Sequence, residues 1–364
     1  MAQRSIPFMQ LRGGSSKGVY FKASDLPSDE PLRDRVVLAA MEGVGMGDPR
    51  QIDGLGGADS LSSKVAIVSP SVRPDADLDY LFLQVVIGGG RVDTVQNCGN
   101  ILAGVLPFAI ESGMWPADDG ATTATIHMVN SGGLCAVTVQ TPDRMVNYAG
   151  DAKVDGVPGT AAPVICNYLD VAGSATGALL PTGHVIDVVD GIELTVVDNG
   201  MPVVILRAAD LGCTGYESKA ELDADEALKA RLERIRLAIG PRMNLGDVRK
   251  KTVPKMCLIA PPIHGGFVHT RTFIPHVCHA AIGVLGAVST ATGCLLPGSV
   301  AAGIAQPPAD GASLLSVEHP SGEFTIDLEV AVEGANVVCK KSGVLRTARL
   351  ISKGEVYIPV GIGP

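Results

Sequence analysis

The segment QNCGNILAGV at residues 96–105 places a thiol, Cys98, directly before an apolar run. Unpaired backbone N–H groups at the start of a helix favour a nearby anion, so a cysteine there can exchange a proton. Gly99 lets a ligand approach the backbone, and Asn100 can both cap the helix and contact the ligand. These residues indicate a proton-transfer or anion-binding site. The competing interpretation is an inert buried cysteine, which is the commoner situation for a free thiol.

A second candidate is Lys64, which follows the Gly-rich segment IDGLGGADSLSSK and begins the apolar run VAIVS. A lysine at the start of a strand is ordinarily solvated, whereas a buried one favours its neutral form and can act as a general base. The sequence alone leaves both interpretations open. The segment RGGSSKG at 12–18 lacks the full spacing of a nucleotide phosphate loop, so we interpret it as a Gly-Ser loop in which Ser15 and Ser16 offer hydroxyl and N–H groups.

The segment HVCH at 276–279 has side chains that could bind a metal. No second ligand cluster lies near it, so a structural or substrate-contacting role is favoured over zinc, and no metal site is predicted. Cys98 with His279 could form an acyl-transfer site, but no sequence feature links the two. A non-catalytic binding protein would predict loss of Lys64 or Cys98, and both are present.

Short strands separated by Gly, Pro and Asp-Gly turns make up most of the chain, and NSGG and HPSGE indicate hairpins. The segments DEPLRDRVVLAAMEG and SKAELDADEALKARLERIRLAIG predict two outer helices. Two further helices, GNILAGVLPFAIESG and HAAIGVLGAVSTATGCLLPG, are apolar on nearly every side and must be buried. Pro107 predicts a kink or break in the first of these.

This pattern predicts an α/β (α+β) protein with two similar halves, each a curved sheet around one buried helix. We place the domains at 1–185, carrying Lys64 and Cys98, and 186–364, with the last strands free to pack back on the first domain.

The composition narrows the class of protein. The chain has 364 residues, 46% hydrophobic and 18% charged, with a net charge of −9, which argues against a nucleic-acid partner. No window resembles a membrane span and the N-terminus lacks the apolar core of a signal peptide. Eight scattered cysteines without a CxxC pair indicate reduced thiols, so a cytoplasmic protein is expected.

Three motifs, RGGSSKGVYF, RQIDGLGGADSLSSKVAIV and QNCGNILAGV, together resemble the PrpF-type isomerase family within the diaminopimelate epimerase-like fold. Motifs from the second half, among them GDAKVDGVPGTAAPV, AIGPRMNLGDV, VPKMCL and VEHPSGEF, are similar to its 4-oxalomesaconate tautomerase branch. The resemblance implies two similar epimerase-like domains, an active site in the interdomain cleft and chemistry without a cofactor.

The resemblance also assigns roles. Epimerases of this fold use one cysteine from each domain; here Cys98 matches the first, while Ala281, Ile282 and Gly283 begin the second central helix. PrpF-type relatives pair the first cysteine with a lysine, and Lys64 stands at the matching place. Lys64 and Cys98 are therefore the implied acid–base pair, and which one abstracts the proton stays open.

The implied substrate is a small-molecule tricarboxylate, an unsaturated keto acid from ring cleavage of gallate or protocatechuate, in lignin-derived aromatic catabolism. A related methylaconitate or methylitaconate is the alternative. We expect no cofactor, no nucleic-acid or membrane partner, and homodimerisation only because it is common. The candidate substrate-binding residues are Ser15, Ser16, Gly99, Asn100, Arg271, His279, Leu285 and Gly286.

Overall fold

The computed structural model describes residues 2–94, 97–308, 312–333 and 336–362. Two compact units divide the chain: residues up to 166 with those from 345 onward form the first, and residues 167–344 form the second. The boundary predicted between 185 and 186 therefore falls inside the second unit. The reason is local: Gly173 N–H donates to the Asp198 carbonyl (2.7 Å) and Asp198 N–H donates to the Leu179 carbonyl (3.0 Å), which ties the preceding segment to a strand of the second unit.

The first unit is a mixed sheet with one helix segment on its outer face and two on its inner face. Its elements are β1 (Gln3–Gly13), β2 (Ser16–Lys22), α1 (Glu30–Glu42), β3 (Lys64–Pro70), β4 (Leu78–Val86), β5 (Arg91–Asp93), α2 (Gly99–Leu102), α3 (Val105–Glu111), β6 (Gly120–Met128), β7 (Gly133–Thr141) and most of β8 (Pro163–Leu169).

The second unit has the same kinds of element. They are β9 (Asp187–Val189), β10 (Ile192–Asp198), β11 (Pro202–Arg207), α4 (Lys219–Ala224), α5 (Glu226–Ile239), β12 (Lys255–Ala260), β13 (Val268–Phe273), α6 (Val284–Leu295), β14 (Leu314–His319), β15 (Gly322–Glu333) and the first part of β16 (Asn336–Pro359). The rest of β16 pairs antiparallel with β1 in the first unit. Both predicted hairpins, at NSGG and HPSGE, are confirmed as β6–β7 and β14–β15.

Both units repeat one order of strand pairing. β1–β2 is antiparallel, β2–β3 parallel, β3–β4 antiparallel, β4–β6 parallel and β6–β7 antiparallel. The series β10 to β15 alternates in the same way. Outer helices follow the second strand of each series and buried helices follow the fourth. The predicted α/β class with two similar halves is confirmed, and Lys64 and Lys255, which begin β3 and β12, occupy equivalent positions.

The buried helix of the first unit is broken, although not at Pro107 as predicted. Ala103 and Gly104 separate α2 from α3 while keeping right-handed helical φ/ψ values. The Tyr20 hydroxyl donates to the Ile101 carbonyl (2.7 Å), and a Cβ on Gly104 would lie 2.3 Å from that hydroxyl. A side chain inserted into the helix ladder accounts for the break. Pro107 lies in the first turn of α3, where its missing N–H costs no hydrogen bond.

The outer helices also differ in detail from the prediction. α1 begins after Asp29, which accepts a hydrogen bond from Leu32 N–H, and ends at Gly43. The predicted second outer helix is two helices, because Asp225 caps α5 by accepting from Leu228 N–H (2.9 Å). A capping residue must leave helical geometry, so the chain breaks there.

All eight cysteines are free thiols. Within the described parts of the chain, no helix is long and apolar enough to cross a membrane.

Candidate active site

The Gly-Ser loop between β1 and β2 packs tightly against the start of α2. A Cβ on Gly13 would lie 2.2 Å from the Asn100 carbonyl oxygen, so only glycine permits this approach. Asn100 Nδ2 donates to Ser15 Oγ (3.1 Å) and Ser16 Oγ (3.4 Å). Four of the predicted binding residues, Ser15, Ser16, Gly99 and Asn100, are thus brought together beside Cys98.

Cys98 is the N-cap residue of α2 and is half-buried, with extended backbone angles (φ −125°, ψ 103°). Its carbonyl oxygen accepts hydrogen bonds from Leu102 N–H (3.0 Å) and from the Tyr80 hydroxyl (3.2 Å). The thiol also lies near Tyr20: burial first, and then Cys98, raise the pKa of the Tyr20 hydroxyl well above its usual value. Tyr20 therefore stays protonated and acts as a fixed hydrogen-bond donor.

Lys64 is nearly buried, with 9% of its surface exposed. Its Nζ donates to Gln84 Oε1 (2.7 Å) and lies 5.1 Å from the centre of the Phe82 ring. Among the described residues, no carboxylate forms an ion pair with Lys64. A neutral amide oxygen and an aromatic face, rather than a carboxylate, surround the amine.

The orientation of Gln84 is determined by its other contacts. Its Nε2 donates to the carbonyl oxygens of Ser63 (3.0 Å), Ser60 (3.3 Å) and Val85 (3.3 Å). Only an amide nitrogen can satisfy acceptors of this kind, so the amide oxygen must face Lys64. Gln84 is therefore a rigid positioning residue for the lysine.

Strand alternation brings Lys64 and the Cys98 backbone to one face of the sheet. Val65 and Ile67 belong to the core under α1, so Lys64 points to the opposite face. Tyr80, Phe82 and Gln84 alternate along β4 in the same way. On this face, Tyr80 contacts the Cys98 carbonyl while Phe82 and Gln84 contact Lys64. The first unit thus places Lys64 and the backbone of Cys98 on the same face of the sheet.

In the second unit, His279, Leu285 and Gly286 lie at or before the first turn of α6. The predicted helix began at His279, but α6 begins at Val284, after Gly283 as N-cap. His279 Nδ1 accepts a hydrogen bond from Ala281 N–H (2.8 Å), which places the ring hydrogen on Nε2. Burial first, and then Lys255, lower the pKa of His279, so its neutral form is favoured. Leu285 packs against Gly200.

Arg271, a predicted substrate-binding residue, is hydrogen-bonded to other groups of the protein. Its Nε donates to the Glu217 carbonyl (2.6 Å) and its Nη1 to His269 Nε2 (2.6 Å), and the His269 ring in turn contacts Glu318 (2.8 Å). Phe273, two residues further along β13, belongs to the core under α4 and α5. Arg271 therefore faces away from α6, because alternation along β13 directs it to the same face as Phe273, the face covered by α4 and α5.

The HVCH side chains diverge for the same reason. His276 lies 3.8 Å from Glu233, and Cys278 belongs to the core under α5 while His279 points to the other face. Burial first, and then Asp223, raise the pKa of Cys278 to about 11, so this thiol stays protonated. Within the described residues, no group of three or more His, Cys, Asp or Glu side chains could hold a metal ion.

The sequence analysis missed Gln84, Tyr20 and Lys255. Gln84 had one available signal, since it follows Tyr80 and Phe82 in an alternating series and is the one amide in the strand. Lys255 could have been found only by aligning the two halves strand by strand, and their sequence similarity is faint.

Comparison with known proteins matches residues 3–359 to the family model described as PrpF protein. The 4-oxalomesaconate tautomerase of Pseudomonas putida is 57% identical over 358 residues, covering 98% of this chain and 97% of that protein. The (4E)-oxalomesaconate Delta-isomerase of Novosphingobium sp. (strain KA1) is 56% identical over 354 residues, covering 97% and 98%. A crystal structure of methylitaconate-delta-isomerase is 34% identical with a TM-score of 0.89, covering 100% of this chain and 97% of that one.

The fold and these matches define an isomerase. The chain belongs to the PrpF family. The predicted enzyme class is confirmed.

Proposed function

We propose that this isomerase moves a proton in 4-oxalomesaconate, with Lys64 and Cys98 as the acid–base pair. The observation that carries the proposal is the setting of Lys64: a nearly buried amine, held by a neutral amide and an aromatic ring, on the sheet face that also carries the Cys98 backbone. Two relatives that share more than half of their residues with this chain are named 4-oxalomesaconate tautomerase and (4E)-oxalomesaconate Delta-isomerase, which supports the choice of substrate. The metabolic setting we propose is the breakdown of aromatic ring-cleavage products, including lignin-derived ones.

The chemistry follows from acid–base requirements. A base removes a proton from a carbon next to the substrate's conjugated carbonyl, which leaves a dienolate, and an acid returns a proton at another atom. Substrate and product are isomers, so a base and an acid at different positions suffice and no cofactor is proposed. Either Lys64 Nζ accepts the proton and Cys98 Sγ donates one, or the roles are reversed.

The dienolate carries negative charge that must be stabilised while it exists. In the first unit, the donors available near Cys98 are the hydroxyl groups of Ser15 and Ser16 and the N–H groups of Gly99 and Asn100. The candidate residues of the second unit stay a prediction: His279 carries its ring hydrogen on Nε2, and Leu285 and Gly286 lie in the first turn of α6. Arg271 is left out because its guanidinium is already committed to Glu217 and His269.

Two proton shifts fit this arrangement, a keto–enol tautomerisation and a 1,3-allylic shift of the double bond. They differ in where the returned proton is found. Incubation in D₂O followed by proton NMR distinguishes them, because the allylic shift places deuterium on a new carbon whereas the enol form exchanges at oxygen.

The proposal is tested by comparing kcat/KM of the wild-type protein on 4-oxalomesaconate, 2-methylaconitate and 3-methylitaconate. We expect 4-oxalomesaconate to be converted about a hundredfold more efficiently than the other two, since loss of one hydrogen-bonded carboxylate or carbonyl costs about 3 kcal/mol. Faster conversion of 2-methylaconitate or 3-methylitaconate would show that the assigned substrate is wrong, while the proposed proton transfer would stand. No conversion of all three would refute the proposal.

A further inference from the structure

The internal duplication places a second lysine, Lys255, at the position equivalent to Lys64. Lys64 begins β3 beside Gly18 of the parallel strand β2, and Lys255 begins β12 beside Val203 of the parallel strand β11. The sequence analysis assigned Lys255 no role. Its equivalence to Lys64 raises the question of what an amine does there.

Lys255 points to the sheet face that carries α6. Met256 and Leu258 belong to the core under α5, so Lys255 and Cys257 alternate to the opposite face. Cys257 confirms this direction, because its thiol accepts from Thr272 Oγ1 (3.5 Å) and lies near Thr290 of α6. The side chain of Lys255 is half-buried on that face.

The acceptor that holds Lys64 has no counterpart beside Lys255. Gln84 pairs with Lys64 across β3 and β4, whereas the residue one step beyond the Met256–Phe273 pair is the apolar Ile274. In the described part of the chain, Lys255 Nζ has neither a hydrogen bond nor an ion pair. Burial first, and then Arg236, lower the pKa of Lys255, as expected for an amine that lacks an anionic partner.

His279 lies on the same face. The Phe273–Cys278 bridge places the Cys278 side chain beside Phe273, on the face covered by α4 and α5. The side chain of the next residue, His279, therefore points to the face that carries α6. The backbone N–H of His279 donates to the Thr272 carbonyl (2.7 Å). Its Nε2–H has no acceptor among the described residues. After burial, Lys255 and Lys219 both lower the pKa of His279 electrostatically.

We infer that Lys255 and His279 form a carboxylate-binding subsite within the second unit, which takes one carboxylate of a di- or tricarboxylate ligand. A cation and a neutral N–H donor on one half-buried face, both without an acceptor, match the charge and hydrogen-bonding needs of a carboxylate. That this ligand is the substrate rests on the proposed function. The inference that the subsite binds a carboxylate rests only on Lys255 and His279.

The test is calorimetric binding of propane-1,2,3-tricarboxylate, an unreactive tricarboxylate, to the wild-type protein and to Lys255→Met, Lys255→Arg and Lys250→Met. Lys250 is an exposed lysine on a nearby turn and controls for the loss of one charge. We expect Lys255→Met to weaken binding ten- to a hundredfold, Lys255→Arg to retain most of it, and Lys250→Met to match the wild type. His279→Gln should weaken binding by a smaller factor and serves if Lys255→Met fails to fold.

Equal affinity of wild type, Lys255→Met and His279→Gln would overturn the inference. Turnover of 4-oxalomesaconate separates the subsite from the proposed function. A wild type that binds the tricarboxylate through Lys255 but does not convert 4-oxalomesaconate would leave the subsite intact and refute the assigned substrate.

Discussion

Lys64 Nζ and Gln84 Oε1 are 2.7 Å apart, and the amide of Gln84 cannot rotate because its nitrogen is held by backbone carbonyl oxygens. A neutral oxygen can accept a hydrogen from the lysine in both its charged and its neutral form. Lys64 is therefore fixed in position by a partner that stays in contact before and after proton transfer, which suits the acid–base role proposed for it.

Gln84→Glu should lower kcat/KM about a hundredfold at neutral pH and move the limb of the pH profile governed by Lys64 to higher pH. A carboxylate facing the lysine favours its charged form, so a more alkaline solution is needed to remove the proton. Gln84→Leu should lower kcat/KM about tenfold and leave the pH profile where it is in the wild type. Gln140→Glu, at an exposed position on β7, is the matched control and should leave the profile unchanged. An unmoved profile in Gln84→Glu would contradict the positioning role.

Ser15→Ala should lower kcat/KM about fivefold, because it removes the hydroxyl bound by Asn100 beside Cys98 and one hydrogen bond is worth about 1 kcal/mol. Ser15→Thr keeps the hydroxyl and should retain most of the activity. Steady-state kinetics on both variants and on Ser24→Ala, an exposed serine, provide the comparison. Equal activity of Ser15→Ala and wild type would remove Ser15 from the site.

Tyr20→Phe should lower the free energy of unfolding by about 1 kcal/mol, since it deletes a buried hydrogen bond to the Ile101 carbonyl at the break in the central helix. Tyr216→Phe removes a similar bond, to the Pro261 carbonyl, at an exposed position and should cost less. Denaturant unfolding of both variants measures the difference. A larger loss in Tyr216→Phe would contradict this account of the break.

The ionised carboxylate of Glu318 should stabilise the second unit, so the free energy of unfolding should fall at low pH. Burial opposes its ionisation, but hydrogen bonds from His269 and from the backbone N–H groups of Ile263, Gly266 and His264 outweigh burial and hold the pKa of Glu318 at about 2. Because this pKa is lowered from the ordinary 4.5, the stabilisation is fully present above about pH 4.5 and is lost as the pH falls toward 2. The shift corresponds to about 3 kcal/mol.

Comparison with Glu318→Gln isolates this contribution from other carboxylates. The variant should be less stable than the wild type at pH 6, and the gap between their thermal midpoints should narrow as the pH falls from 5 to 2. A gap that stays constant over this range would show that the charge of Glu318 does not stabilise the fold.

Local sequence patterns were sufficient for much of this structure. Alternating strands, the two hairpins and α1 follow from short-range chemistry, and the two buried helices follow from apolar composition. The break between α2 and α3 could not be predicted, because it depends on the Tyr20 hydroxyl, 81 residues away from Ile101 in the chain. Pro107 was the local candidate for a break and has no such effect.

The candidate site shows the same limit. Lys64, Cys98 and the Gly-Ser loop could be found from motifs and from resemblance to the family. Arg271 points to the same face of the sheet as Phe273, and that face is determined by the core residues around Phe273. The sequence of β13 alone does not show which of its two faces meets that core. The role of Gln84 depends on the register between β3 and β4, which pairs it with Lys64. The position of Lys255 depends on the internal duplication, which is clear from the order of strand pairing but faint in the amino-acid sequence.

The most direct test of the central claim is deuterium incorporation into 4-oxalomesaconate in D₂O, followed by proton NMR, for wild type, Lys64→Met and Cys98→Ser. The wild type should remove one carbon-bound proton of the substrate at the rate of conversion, and an allylic shift should also place deuterium on a new carbon. Each variant should keep the wild-type circular dichroism spectrum and lose at least a thousandfold in rate, as expected when one member of an acid–base pair is removed. Wild-type rates in either folded variant would contradict the assignment of Lys64 and Cys98.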